Sequence, residues 1–248
     1  MNNCDSVSSN FIWHEGADAI SLAEHLAGEI VVQINSSISD TGSAVVAFSG
    51  GSTPKPLFKA LADHDIDWSK VIITLVDERW VDLDHELSNG AFLSQYLLSE
   101  LGDNTPTFVP LFNGEPTAEK GRVKTLEQYC HATNSDTSKP RKFDVVILGM
   151  GNDGHTASFF PDADNIADLV DPNSSDYLLS CSTVTTQVER ITWSVPMLLN
   201  TSFLALHMTG SSKSDVFQNA CSAPSATELP IRSVIFQKKT PLNVYYAD

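Results

Sequence analysis

A glycine-rich turn directly after an apolar run is the feature of this sequence that most constrains its fold. The run Val145–Leu148 has the length and composition of a buried strand. Gly149, Gly151 and Gly154 follow it, and the next residue is His155. Only glycine makes such a tight turn easily, because it adopts backbone conformations that other residues avoid. Ligands of open α/β sheets bind at the carboxyl ends of strands, so the pattern predicts a catalytic base at His155.

The same glycines have the G-x-G-x-x-G spacing of a dinucleotide-binding loop, but the residues around them do not fit one. That loop continues into a long helix, and an acidic residue ends a second strand about 20 residues later. Here Pro161 cuts the helix short, and Asp168 and Asp171 lie in a polar stretch. We therefore interpret the glycines as a tight turn and predict no nicotinamide cofactor.

Strand-like and helix-like segments alternate along the chain. Apolar residues recur at helical spacing over 16–38, Ala44–Phe48 is an apolar run, and Pro54–Ala62 has a helical pattern with proline near its first turn. Later strand candidates are Val71–Val76, Thr107–Leu111, Val145–Leu148, Leu178–Val184, Ile191–Val195 and Phe203–His207, helix candidates are Ala91–Leu101, Ala118–His131 and Ser212–Cys221, and Val234–Phe236 and Asn243–Tyr246 close the chain. This alternation predicts an α/β fold, a Rossmann-like, mostly parallel sheet with helices on both faces. No strong linker interrupts it, so we expect a single domain over residues 1–248.

The composition narrows the class of partner. The formal net charge of −16 repels nucleic acid and anionic lipid, and no stretch approaches the roughly 20 apolar residues of a membrane span. We therefore predict no nucleic-acid and no membrane partner. An anionic substrate is also repelled by this charge, so it requires a local cationic pocket.

The cysteines and the amino terminus bear on the compartment. The four cysteines are far apart and form no C-x-x-C pair, which argues against a zinc site and a disulfide framework. The sequence begins Met-Asn-Asn-Cys-Asp-Ser, without the basic and apolar regions of a secretory signal. Both observations predict a cytoplasmic protein.

A second glycine loop lies between the strand Ala44–Phe48 and the next helix. Gly50 and Gly51 allow the backbone to approach a ligand closely, and Ser52 and Thr53 offer hydroxyl groups. The N–H groups at a helix start favour an anion, so the loop predicts a phosphate site. An ordinary strand-to-helix turn with an N-cap is the alternative.

Charged residues follow two further strands. Asp77, Glu78 and Arg79 end the apolar segment Val71–Val76, which places them where active-site groups belong. The alternative is a solvated loop with a local ion pair. Lys213 comes after the strand Phe203–His207 and a Gly-Ser-Ser turn, which suits a phosphate contact better than an ordinary surface position.

These motifs resemble the 6-phosphogluconolactonase family, within the wider group of sugar-phosphate isomerases and deaminases. The resemblance covers nearly the whole chain. It is carried by Ser49-Gly-Gly-Ser-Thr-Pro54, Asp77-Glu-Arg79 with Ser88-Asn89, Gly149 to Ser158 with Phe160-Pro161, Arg190-Ile-Thr with Pro196, Gly210-Ser-Ser-Lys213, Leu229-Pro230 and Pro241 to Tyr245. It implies a sugar-phosphate isomerase-like fold and hydrolysis of 6-phospho-D-glucono-1,5-lactone to 6-phosphogluconate, in the oxidative pentose phosphate pathway.

The resemblance also implies roles for residues. His155 acts as the general base that activates water, and Asp77 orients it. Arg79, or the N–H groups of the turn, stabilises the oxyanion. The Gly50–Thr53 loop and Lys213 hold the phosphate, with Arg190 as a weaker candidate. No metal or organic cofactor is needed, the partner is a small sugar-phosphate lactone, and we expect a monomer or weak homodimer.

Two other functions stay open. The glucosamine-6-phosphate deaminase branch shares the glycine loops, but it usually has Asp-Glu-Tyr in place of Asp77-Glu-Arg79 and Phe-Asn-Glu-Pro in place of Ser158-Phe-Phe-Pro161. A non-catalytic sugar-phosphate sensor normally carries an N-terminal DNA-binding domain, and residues 1–40 show no basic helix-turn-helix pattern. Both differences favour the lactonase.

Overall fold

The computed structural model describes residues 11–51 and 53–248, and a parallel sheet of seven strands lies at its centre. In chain order its strands are β1 (Phe11–Glu15), β2 (Ala44–Phe48), β3 (Val71–Leu75), β5 (Thr107–Val109), β6 (Phe143–Leu148), β9 (Thr201–Thr209) and β10 (Leu242–Ala247). Their order across the sheet is β1-β10-β9-β6-β2-β3-β5, and every neighbouring pair is parallel. The predicted α/β fold with a mostly parallel sheet is confirmed.

Helices connect the strands. They are α1 (Ala19–Thr41), α2 (Lys55–Ala62), α3 (Asn89–Tyr96), α4 (Ala118–Ala132), α5 (Ile166–Leu169), α6 (Val195–Leu198), α7 (Ser211–Ser222) and α8 (Arg232–Ile235), with short 3-10 turns at Trp68–Lys70 and Leu98–Glu100. Among the described residues, no helix has both the length and the apolar character needed to cross a membrane.

Helix α1 shows how local sequence sets the element boundaries. The Asp18 side chain accepts hydrogen bonds from the N–H groups of Ile20 and Ser21, and the Ser21 hydroxyl completes a capping box. Gly42, with φ +85°, ends the helix in the left-handed conformation that favours glycine. The predicted helix over 16–38 therefore begins three residues later and ends three residues later than its apolar pattern indicated.

A second, antiparallel sheet carries part of the candidate site. Its strands are β4 (Asp77–Arg79), β8 (Arg190–Trp193) and β7 (Leu178–Cys181), in the order β4-β8-β7. Arg79 and Arg190 are register partners, as are Asp77 and Thr192. The sequence patterns placed Asp77 to Arg79 in a loop after a strand, and the small sheet instead fixes these three residues as a strand of their own.

Other differences from the sequence expectations lie at the ends of the chain. The strand β1 is not predicted by the patterns, although it pairs along its whole length with β10. The segment over 234–236 overlaps the short helix α8. Cys130 and Cys181 are buried free thiols, and Cys221 is disulfide-bonded.

Candidate functional site

One cavity of about 280 Å³ lies at the carboxyl ends of the central strands. Residues of strands, helices and loops around the glycine turns after β2 and β6 form its wall. Its lining residues include Gly50, Gly51, Thr53, Asp77, Arg79, Asn89, Gly149, Gly151, His155, Arg190, His207 and Lys213. The structure therefore brings together all the predicted site residues except Ser52, which lies outside the described residues.

His155 is held by its neighbour on the same turn. Its Nδ1 lies 2.5 Å from Asp153 Oδ1, and its backbone N–H donates to the same carboxylate oxygen at 3.2 Å. The ring also stacks on Phe160, with 4.2 Å between centroids. Burial alone would raise the pKa of Asp153, but the hydrogen bond and the charge of His155 outweigh it and lower that pKa. An ionised Asp153 fixes the proton on Nδ1, which leaves Nε2 as the acceptor nitrogen.

The expectation that Asp77 orients His155 is wrong. The ring nitrogen that needs an acceptor is already bound by Asp153, and Asp77 has other partners. The physical reason is the turn itself: Gly154, with φ +77°, reverses the chain so that Asp153 and His155 face each other. An Asp two residues before a histidine and one before a glycine is a turn signal, so the sequence contained this pair.

Asp77 belongs to a buried network instead. Its Oδ2 accepts from the Ser158 hydroxyl at 2.5 Å and from Arg190 Nη2 at 2.7 Å, while Arg190 Nε donates to Ser158 Oγ at 2.7 Å. Burial raises the pKa of Asp77, but the charge of Arg190 and the bond from Ser158 reverse this and hold it below its usual range. The network joins β4, β8 and the turn after β6. Two of the three nitrogens of Arg190 are thereby engaged with protein groups rather than available to a phosphate.

Arg79 is positioned by Asn89, which begins helix α3. Arg79 Nη1 donates to Asn89 Oδ1 at 2.5 Å and to the Leu87 carbonyl at 3.0 Å. Asn89 in turn donates through Nδ2 to the Asp77 carbonyl at 2.9 Å. A Cβ at Gly50 would lie only 1.9 Å from Asn89 Oδ1, so the glycine is needed for this close approach. Burial and the nearby Arg190 charge lower the pKa of Arg79, although the negative charge of Asp77 acts to raise it.

Glu78 has a structural position beneath this group. It is fully buried, and its carboxylate accepts from the N–H groups of Arg79, Asn89 and Gly90 and from the Ser88 hydroxyl. Burial raises its pKa despite these bonds. Ser88 also caps α3, because its hydroxyl accepts a hydrogen bond from the Ala91 N–H.

Comparison with known proteins identifies the family of this chain. The family model described as glucosamine-6-phosphate isomerases/6-phosphogluconolactonase matches residues 17–243. The chain belongs to this family. A 6-phosphogluconolactonase of Mesorhizobium japonicum is 37% identical over 242 residues, covering 96% of each chain. Another from Rhizobium meliloti is 36% identical over 226 residues, covering 91% of this chain and 94% of the relative.

The fold of the family is found in solved structures as well. The crystal structure of a 6-phosphogluconolactonase from Shewanella baltica superposes with a TM-score of 0.88 at 35% identity, covering 96% of this chain and 98% of that one. The family resemblance read from the sequence motifs is thereby confirmed.

Lys213 gives this family member a third cationic group in the cavity. It lies in the first turn of α7, and its Nζ donates to the Met150 carbonyl at 2.6 Å. Burial lowers the pKa of Lys213, and the charge of Asp153 opposes this. The cavity thus presents Arg79, Arg190 and Lys213 within a strongly acidic protein.

The acceptor atoms of the site do not form a metal centre. Within residues 11–51 and 53–248, no three His, Cys, Asp or Glu side chains are grouped so that they could hold a metal ion. His207, at the end of an apolar strand pattern that gives no sign of a ligand site, also lines the cavity.

Proposed function

We propose that this chain is a 6-phosphogluconolactonase, which hydrolyses 6-phospho-D-glucono-1,5-lactone to 6-phosphogluconate. The observation that carries the proposal is the pairing of His155 with Asp153 on the wall of a cavity that also contains Arg79 and Lys213. A histidine whose Nδ1 is fixed by a carboxylate is suited to general-base chemistry at Nε2. The lactonase relatives at 36% and 37% identity support the same activity.

The reaction needs two proton transfers, and His155 performs both. A water oxygen attacks the lactone carbonyl carbon while Nε2 takes one water proton, and Asp153 stabilises the resulting imidazolium. The bond between the carbonyl carbon and the ring oxygen then breaks. His155 returns the proton to the departing ring oxygen, which becomes a hydroxyl group, and the new carboxylic acid ionises in solution.

Arg79 is the candidate for the oxyanion of the tetrahedral intermediate. Its guanidinium is preorganised by Asn89 and the Leu87 carbonyl, so it needs little reorganisation when negative charge develops. Asp77 supports this arrangement from below, because its charge and the Ser158–Arg190 network fix the strand that carries Arg79. We therefore propose a positioning role for Asp77 instead of direct contact with His155.

The phosphate end of the substrate is assigned to Lys213 and the loop over 50–53. Gly51 has φ +97°, a conformation that favours glycine, and α2 begins just after the loop. The exposed N–H end of that helix and the Lys213 ammonium both favour an anion. Arg190 adds long-range electrostatic attraction for the phosphate, although two of its nitrogens donate hydrogen bonds to Asp77 and Ser158.

We also propose the wider setting of the reaction. A phosphorylated lactone is the product of oxidation at the first carbon of a sugar phosphate, which places the enzyme at the second step of the oxidative pentose phosphate pathway. The cytoplasmic location, the absence of a cofactor and a monomer or weak homodimer remain predictions from the sequence.

The test is proton release after addition of fresh 6-phosphogluconolactone at constant pH. We expect a rate that is proportional to protein concentration and exceeds spontaneous hydrolysis, with no change when a chelator is added. Release of ammonia from glucosamine 6-phosphate, with no acceleration of lactone hydrolysis, would instead identify a deaminase.

A further inference from the structure

His207 is a buried polar residue on the cavity wall that the proposed mechanism does not use. It lies on β9 and is only 3% exposed. Among the described residues, neither of its ring nitrogens has a hydrogen-bond partner. Two other side chains share this property, Ser194 and Tyr245, but neither of them lines the cavity. His207 therefore combines an unpartnered polar side chain with a position facing a ligand site.

The strand register places His207 beside a glycine on the cavity wall. Leu206 pairs with Leu148 on the neighbouring strand β6, so the next position beside His207 is Gly149. A Cβ placed at Gly149 would meet nothing closer than Ser49 Cβ at 4.0 Å. The missing side chain at Gly149 thus keeps the cavity wall beside His207 free of a further side chain.

Physical chemistry requires a partner for this ring. A buried polar group without a hydrogen bond is costly, and nearly all such groups in folded proteins are satisfied by protein, water or ligand. Burial also lowers the pKa of His207 to about 4, so the ring is neutral at neutral pH. A neutral imidazole has one donor and one acceptor nitrogen.

This donor and acceptor pair selects the chemistry of the partner. A sugar hydroxyl both donates and accepts, so it can pair with either nitrogen, whereas a phosphate dianion only accepts. The cations Arg79 and Lys213 already offer donors to a phosphate elsewhere on the wall. A hydroxyl group is therefore the better match for His207.

We propose that His207 is a specificity-determining residue that hydrogen-bonds a hydroxyl group of the bound sugar acid or lactone. The proposal rests on the proposed function, because it requires a polyhydroxylated substrate. It gives this buried histidine a role in binding that is separate from the proton transfers of His155.

The experiment measures binding of 6-phosphogluconate and of inorganic phosphate by calorimetry. The variants are His207→Leu, which removes the hydrogen bond, His207→Gln, which retains a donor and an acceptor, and the control Tyr245→Phe. Tyr245 is the register partner of His207 and also has an unpartnered buried hydroxyl, but it lies outside the cavity wall.

We expect His207→Leu to weaken 6-phosphogluconate binding about 3- to 10-fold, the usual value of one neutral hydrogen bond, and to leave phosphate binding unchanged. His207→Gln should bind better than His207→Leu, and Tyr245→Phe should match the wild type. The thermal midpoint of His207→Leu should equal or exceed that of the wild type, because an unpartnered buried polar group is removed.

Two results overturn the proposal. Unchanged 6-phosphogluconate binding in His207→Leu assigns the residue to the core alone, and equal weakening of both ligands assigns it to the phosphate. His207→Met replaces the leucine variant if the latter does not melt cooperatively. A separate measurement tests the proposed function: it fails if the wild-type protein does not accelerate lactone hydrolysis.

Discussion

At the scale of single residues, two aspartates near one histidine have different tasks. Asp153 is bonded to His155 and its side chain is 43% exposed, whereas Asp77 is bonded to Arg190 and buried. Removing the Asp153 charge should lower the rate of catalysis with little effect on the stability of the fold. Removing the Asp77 charge should leave a buried guanidinium without its counter-ion, which is strongly destabilising.

The matched variants Asp153→Asn and Asp77→Asn test this division. Asp153→Asn should lower kcat by about 10²- to 10⁴-fold, because His155 loses the acceptor that fixes its tautomer, while the thermal midpoint stays near that of the wild type. Asp77→Asn should lower the free energy of unfolding by about 3–5 kcal/mol. Steady-state kinetics and urea unfolding of both variants give the answer. The reverse pattern, with Asp77→Asn stable and Asp153→Asn fully active, contradicts the assignment.

The residues of the site could be predicted largely from the sequence, but their pairing could not. His155, Arg79 and Lys213 each follow a strand that ends at the same rim, so their convergence follows from the parallel sheet. The turn at Gly154 decides that the Asp153 carboxylate reaches the His155 ring. The close approach of Asn89 to Gly50 decides that Asn89 holds Arg79. These are contacts of a few ångströms that spacing along a strand does not encode.

At the scale of elements, a glycine in α4 fixes how that helix meets the strand of the site. A Cβ at Gly121 would lie 2.1 Å from Trp80 Cη2, and Trp80 directly follows β4. The Trp80 ring nitrogen also donates to the Glu115 carbonyl at 2.8 Å. Gly28 in α1 is a natural control, since a Cβ there meets nothing within 4 Å.

Alanine at these two helical glycines should have opposite effects. Gly28→Ala should raise the free energy of unfolding by about 0.5–1 kcal/mol, because alanine has the higher helix propensity. Gly121→Ala should lower it, because the indole must move and β4 is displaced with it. Urea unfolding of both variants compares the two effects. Stabilisation by both would show that Trp80 is free to move.

The elements differ in how well sequence predicts them. Apolar runs such as Ala44–Phe48 and the amphipathic pattern of α1 are local signals, and their strand and helix follow directly. Strand β4 is three residues long and all of them are charged, so no local pattern identifies it. It exists because it pairs with β8, which lies more than 100 residues away.

At the scale of the whole molecule, His207 links stability to pH. Its pKa is lowered by burial to about 4 in the folded protein, against 6.5 for an ordinary histidine. The folded state therefore binds fewer protons than the unfolded state between these values, and its stability falls as pH decreases through that window. At pH values well above 6.5, both states are deprotonated and this residue adds no pH dependence.

The comparison of wild type and His207→Leu isolates this effect, because all other titrating groups are shared. The free energy of unfolding of the wild type should fall by about 2–3 kcal/mol more than that of the variant between pH 7.5 and pH 4.5. Urea unfolding at the two pH values measures it. An equal loss in both proteins would mean that folding does not lower the pKa of His207.

The central claim is that His155 is the general base of a lactonase, and its most direct test is the turnover of fresh 6-phosphogluconolactone by wild type and His155→Ala. The measurement is the rate of proton release at constant pH, after subtraction of spontaneous hydrolysis, with circular dichroism to confirm that the variant is folded. We expect kcat to fall by about 10²- to 10⁴-fold in the folded variant, because the water loses its general base. A folded His155→Ala protein with a kcat close to that of the wild type would contradict it.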